Sequence, residues 1–181
     1  MRKLLLRSLF EFPLTEPAPT ADAAALGELG RRLEAVARRR LGRSLSIREV
    51  DAGSCNGCEL EIHALNNPFY DVERFGLRFV ASPRHADVLV VTGPVTHNMR
   101  EALERTHRAT PDPKWVVAVG DCAGGCGAFA GSYACVGRVA DVVPVDLHIP
   151  GCPPTPEALL KGLIALIEQS ATAISEPRVG R

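Results

Sequence analysis

The chain is poor in aromatic residues: one Trp, two Tyr and six Phe make up 5% of its 181 positions. It has no surplus charge of either sign either, since 21 Lys and Arg stand against 21 Asp and Glu. Without a basic excess or aromatic stacking platforms, an extended nucleic-acid surface has nothing to build on. Long apolar runs are also missing. None reaches the roughly 18–20 residues that span a bilayer, so the chain is not expected to cross a membrane by itself. Low net charge with a 46% hydrophobic share excludes disorder as the main description. One ordinary domain fits, with a core that needs no disulfide staples.

The balanced charge is unevenly spread. Residues 1–50 hold ten basic and six acidic side chains, and residues 51–181 hold eleven and fifteen, so a positive beginning precedes a mildly acidic body. The start, Met1-Arg2-Lys3 with Leu4, Leu5 and Leu6, imitates a signal peptide. Arg7 interrupts the apolar region, and Glu11 and Pro13 follow without a small-residue cleavage site, so a cytoplasmic protein with reduced thiols is expected. A short apolar patch, Leu4–Phe10, ends at Pro13, Pro17 and Pro19, which read as a linker. Asp22 to Arg43 then carries Leu26, Leu29, Leu33, Val36 and Leu41 at helical spacing, with arginines on the other face, either solvated or docking an acidic partner or membrane surface. The expected organisation is a basic helical N-terminal arm over 1–44, an α/β domain over 45–169 and a flexible tail over 170–181.

Beyond the arm, short apolar runs alternate with helical stretches. Predicted strands are Ser46–Val50, Val88–Thr92, Trp115–Val119 and Val142–Leu147. The middle two are continuously apolar, as in a parallel sheet covered on both faces. Helices are predicted over Glu59–Leu65, Asn98–Thr110 and Pro156–Glu168, with the Thr96 hydroxyl as N-cap of the second. The alternation points to α/β: a flavodoxin-like, doubly wound parallel sheet with a helical basic arm.

The cysteines carry the chemistry. In a reducing compartment, Cys55, Cys58, Cys122, Cys126, Cys135 and Cys152 point to metal binding or catalysis before disulfides. Cys55 and Cys58 follow the first predicted strand, Cys122 the third and Cys152 the fourth. Carboxyl ends of parallel strands share one edge, where ligands bind, so these residues are expected to converge. Cys55-Asn56-Gly57-Cys58 is a CxxC whose glycine permits a tight wrap; glycines surround Cys122, and Gly151 and Pro153-Pro154 flank Cys152. Four thiolates suit an iron–sulfur cluster or structural zinc, and CxxC alone is also compatible with thioredoxin-like redox chemistry. Zinc ribbons usually bring a second CxxC, which is lacking here.

The run Asp51-Ala52-Gly53-Ser54-Cys55-Asn56-Gly57-Cys58-Glu59-Leu60-Glu61-Ile62, the segment Thr92-Gly93-Pro94-Val95-Thr96, Gly120-Asp121-Cys122, and Pro144-Val145-Asp146 leading to Ile149-Pro150-Gly151-Cys152-Pro153-Pro154-Thr155-Pro156 carry a resemblance. They resemble the small subunit of membrane-bound energy-converting [NiFe]-hydrogenases, formate hydrogenlyase included, a group related to the 20-kDa (PSST) subunit of NADH-quinone oxidoreductase, complex I. The likeness runs from about Ser46 to Glu168. It implies that Cys55, Cys58, Cys122 and Cys152 hold one [4Fe-4S] cluster, with Cys122 preferred over Cys126 because it follows the strand directly. It implies an oxidoreductase subunit with no complete active site of its own. Its partners would be a hydrogenase-type or complex I-type large subunit, a ferredoxin-like iron–sulfur subunit and membrane-arm subunits, at the cytoplasmic face of the membrane. Electrons would pass to or from a [NiFe] centre or, alternatively, to quinone; a zinc-stabilised interaction module without redox activity is the alternative from another class. The resemblance also gives Glu61 a possible role in proton transfer. Otherwise Glu59 and Glu61 serve the positive end of a helix. Cys126 and Cys135 read as small buried hydrophobes. His63, His85, His97, His107 and His148 lack metal-ligand spacing and read as surface or hydrogen-bonded, with His97 and Arg100 within reach of the cluster loops.

Overall fold

The computed structural model describes residues 23–125 and 127–173. The apolar patch Leu4–Phe10, the proline linker and Cys126 lie outside them, as does the tail beyond Ala173. In chain order the elements are α1 Ala23–Leu41, β1 Leu45–Asp51, α2 Gly57–Ala64, β2 Leu77–Phe79, β3 Val88–Thr92, β4 Val95–Thr96, α3 His97–Ala109, β5 Trp115–Val119, β6 Cys135–Gly137, β7 Leu147–Ile149 and α4 Pro156–Ala173. Helix α4 thus runs beyond Glu168, into the stretch read as a tail.

Five strands form one parallel sheet in the order β2-β1-β3-β5-β7. Numbered by appearance in that sheet, this is the 2-1-3-4-5 order of flavodoxin-like folds, with its switch point between β1 and β3. The expected α/β class is borne out. The reason lies in the central strands: every residue of β3 is buried, and alternate side chains enter opposite cores. Val88 and Val90, with Ile47, Val117 and Val119, pack under Leu33 of α1, Ile62 of α2 and Leu163 and Ile167 of α4. Leu89 and Val91, with Val50, Val116 and Ala118, pack against Leu103 of α3 and against Val139 and Val143 of the segment between β5 and β7. Short β4 and β6 pair antiparallel beside this second core.

Helix α1 is bedded on the domain through the stripe Leu29, Leu33 and Val36. Its arginines form ion pairs: Arg31 with Glu28, Arg38 with Glu34, and Arg32 with Glu168 of α4 at 2.7 Å. Arg43, just past the helix, grips the buried Asp87 carboxylate at 2.6 Å, while that carboxylate also accepts the Ser46 N–H.

Two local expectations are corrected. The fourth strand is not Val142–Leu147 but Leu147–Ile149. Pro144 has no N–H to give a ladder; a 3-10 turn over Val139–Asp141 precedes it, and Val143 is spent filling the second core. Contact with β5 begins one residue early, through the Asp146 carboxylate accepting the Val116 N–H at 2.7 Å and the Asp146 N–H reaching the Val116 carbonyl at 2.9 Å. Thr96 does occupy the N-cap position of α3, but its hydroxyl donates to the Ala52 carbonyl at 3.2 Å and caps nothing. Strand β2, with only Leu-Arg-Phe, offers no apolar run to detect.

Leu103, fully buried, is the main apolar side chain anchoring α3 to the second core. Leu103→Ala should cost about 2–5 kcal/mol in chemical denaturation. Arg105→Ala, which removes only an exposed pair with Glu101, should stay within about 0.5 kcal/mol.

Candidate functional site

The carboxyl ends of β1, β3, β5 and β7 open onto one rim, and the loops there are built to approach one another. After β1, the Asp51 carboxylate accepts the N–H groups of Gly53 and Ser54, both at 2.8 Å, and the Ser54 hydroxyl accepts the Asn56 N–H at 3.1 Å. These turns leave Cys55 exposed and lead into α2, whose first turn carries the half-buried Cys58. The left-handed residue of the CxxC is Asn56, φ 71°, rather than the glycine expected to permit the tight wrap. Gly57 lies close to the neighbouring ligand loops without being crowded: a Cβ there would make ordinary contacts, 3.5 Å from Cys55 Sγ and 3.9 Å from Pro153. After β3, Gly93 lies against the Ser54 backbone.

The loops after β5 and β7 are tied by backbone. The Gly120 N–H reaches the Ile149 carbonyl at 2.8 Å, the Asp121 N–H the Gly151 carbonyl at 2.9 Å, and the Gly151 N–H the Asp121 carboxylate at 2.7 Å. This ladder brings the chain before Cys122 beside the chain before Cys152. Gly120 has φ +90°, and a Cβ on it would stand 2.6 Å from Cys58 Sγ. Only glycine meets both demands. Cys55, Cys58, Cys122 and Cys152 are thus on neighbouring loops of one rim, as the positions of the strands imply.

Burial pushes the Cys58 thiol up to about 12, with the charges of Glu59, Cys55, Cys122 and Cys152 adding in the same direction. Each of the other three sulfurs therefore acts on Cys58. Four thiolates so placed repel one another, and a positively charged inorganic core removes that repulsion, so this donor set fits an iron–sulfur cluster. Among the described residues, no three or more His, Cys, Asp or Glu are gathered about a point that one metal ion would occupy.

Of the two helix glutamates, Glu61 is half-buried, while Glu59 is 8% exposed and has both carboxylate oxygens buried without a hydrogen-bond partner. The resemblance singles out Glu61; nothing in the spacing marks Glu59 as the inward one. Glu49 on β1 lies nearby. Its carboxyl is held above the usual range by burial and then by the Glu59 charge, and it lines a cavity of about 260 Å³ with Arg48, His63 and Asn66. Cys135, on β6, shares a second cavity of about 260 Å³ with Cys122 and Arg138. Arg100 is drawn to Glu104 along α3, and His97 is exposed at the start of that helix.

In metal-free protein, iodoacetamide should alkylate Cys58 last of the four. Because its thiolate is disfavoured, the rate should rise about tenfold per pH unit from pH 7 to beyond pH 10, without levelling near the ordinary thiol value of about 8.5. Peptide mapping by mass spectrometry reads this; a Cys58 rate that levels near pH 8.5 would contradict it.

Residues 55–166 match the family described as NADH ubiquinone oxidoreductase, 20 Kd subunit. The probable membrane-bound hydrogenase subunit mbhJ of Pyrococcus furiosus is 47% identical over 134 residues, covering 74% of this chain and 80% of that protein. Formate hydrogenlyase subunit 7 of Escherichia coli is 46% identical over 138 residues; the match takes in 75% of this chain but only 54% of that longer protein. Among solved structures, a chain of the membrane-bound sulfane sulfur reductase, an archaeal respiratory membrane complex, superposes with TM-score 0.65 at 34% identity, covering 80% of this chain and 78% of that one. The chain is a member of the family of the 20-kDa subunit of NADH ubiquinone oxidoreductase.

Proposed function

We propose that the chain is the electron-transfer small subunit of a membrane-associated, energy-converting hydrogenase-type complex, and that Cys55, Cys58, Cys122 and Cys152 hold one [4Fe-4S] cluster. The observation that carries this reading is the shared rim: loops after β1, β5 and β7 meet there, with the Cys58 sulfur under the influence of the other three cysteines. Four thiols close enough to interact suit an iron–sulfur core. The likeness to mbhJ and to formate hydrogenlyase subunit 7 supports the hydrogenase-type setting.

When bound, the cluster supplies one-electron transfer at a potential set by hydrogen bonding and burial within about −700 to +450 mV. The chain's own part is to hold it. Cys58 and the Gly120 backbone form the inner wall; Cys55 and Cys152, both exposed, form the outer lip, where a large subunit would approach. Leu60, 62% exposed near the start of α2, suits an apolar contact with that subunit. No helix among the described residues is long and apolar enough to cross a membrane. Attachment at the cytoplasmic face would come through membrane-arm subunits, with a ferredoxin-like subunit as electron partner. The resemblance gives Glu61, half-buried on α2, the role in proton transfer beside the rim.

A second reading, electron delivery to quinone, is favoured by the family match itself. Nickel in the purified complex separates the two.

The intact complex, purified anaerobically, should be brown, carry about four irons per copy of this chain and give an EPR signal after dithionite. Cys58→Ala should lose most of that iron. A colourless complex that retains zinc and stays EPR-silent would overturn the proposal.

A further inference from the structure

His148, on β7 upstream of Cys152, carries no functional signal in the sequence. In the structure its ring spans to the loop that carries Cys122. Its Nε2 lies 3.0 Å from the Gly120 carbonyl oxygen. A carbonyl can only accept, so Nε2 is the donor in this bond. The ring also occupies the space beside Gly124: a Cβ there would stand 2.5 Å from His148 Cε1 and 2.7 Å from Nε2.

We propose that His148 is a positioning residue for the cysteine centre, pinning the peptide unit between Gly120 and Asp121 and with it the approach of Cys122 to Cys58. This rests on the reading that these cysteines hold a cluster. The peptide unit in question is gripped at both ends. Its N–H, on Asp121, donates to the Gly151 carbonyl at 2.9 Å; its carbonyl, on Gly120, accepts from His148 and, at 3.3 Å, from the Gly124 N–H. Gly120 is the soft point, since φ +90° and the absence of a side chain leave that peptide free to rotate unless both ends are held. Rotation there would move the residue whose Cα faces the Cys58 sulfur and redirect the chain entering Cys122.

The pairing with Gly124 follows from the same geometry. Any side chain at 124 meets the ring, and a ring that swings aside gives up its bond to Gly120. Loss of the His148 donor and addition of a methyl group at Gly124 should therefore do the same damage, and do it only once.

The test uses the intact complex. His148→Phe keeps a ring and removes the donor; His148→Gln keeps a donor in place of Nε2. The Phe variant should load iron, shift the midpoint potential in an EPR-monitored titration and release iron to a chelator on the order of fivefold faster, as for one lost neutral hydrogen bond. The Gln variant should stay near the parent. Gly124→Ala should behave like the Phe variant, and the two changes together should be no worse than either alone. A Phe variant matching the parent, a Gln variant as impaired as Phe, or full additivity with Gly124→Ala would each overturn the proposal. If His148→Phe does not assemble, His148→Ala, Gly124→Ala and their combination decide: a double variant no worse than either single supports it, and full additivity overturns it. A parent complex without iron denies the electron-transfer reading; an iron-loaded parent with a silent His148→Phe denies only this inference.

Discussion

The site depends on the hydrogen bonding that continues the β5–β7 pairing past the end of the sheet. Val119 opposite Ile149 is the last pair in register, yet the ladder goes on through Gly120 to Ile149 and Asp121 to Gly151, with the Asp121 carboxylate closing it on the Gly151 amide. Two loops that in most parallel sheets would splay apart stay together for that distance. Each delivers a cysteine at its end. Because these backbone groups lie half-sheltered at the rim and are all paired, the approach is held by bonds whose loss leaves polar groups unsatisfied.

Around that clamp the rest of the molecule acts as a support. The sheet has apolar cores on both faces, and the helices that cover it hold their strands without contributing to the rim, apart from α2, whose first turn brings Cys58 inward. The same turn buries Glu59 beside a thiol already disfavoured as thiolate. Polar groups without a hydrogen-bond partner, the Glu59 carboxylate oxygens, thus lie on the inner side of the rim, while Cys55, Cys152 and Leu60 are exposed.

Much of this is legible from residues alone. Continuous apolar β3 and β5 announce a doubly covered parallel sheet, and the placement of Cys55, Cys58, Cys122 and Cys152 after strand ends announces a common rim. What escapes has physical reasons. The Val142–Leu147 run looks like a strand because its valines are apolar, but Pro144 breaks the ladder and Val143 is needed in the second core. The tight wrap of the CxxC points to its glycine on sequence grounds, while Asn56 takes the left-handed turn and a Cβ at Gly57 would meet only ordinary contacts. Glu59 and His148 stay invisible because their importance comes from what surrounds them in space: Cys58 and Glu49 for the one, Gly120 and Gly124 for the other.

The most direct measurement is iron-edge anomalous diffraction from crystals of the anaerobic complex, which locates iron without assuming the ligands. A single compact iron peak within bonding distance of the Cys55, Cys58, Cys122 and Cys152 sulfurs is the expected result. Iron placed elsewhere, or a peak that leaves Cys152 out of reach while Cys126 or Cys135 takes its place, would contradict the proposed ligand set.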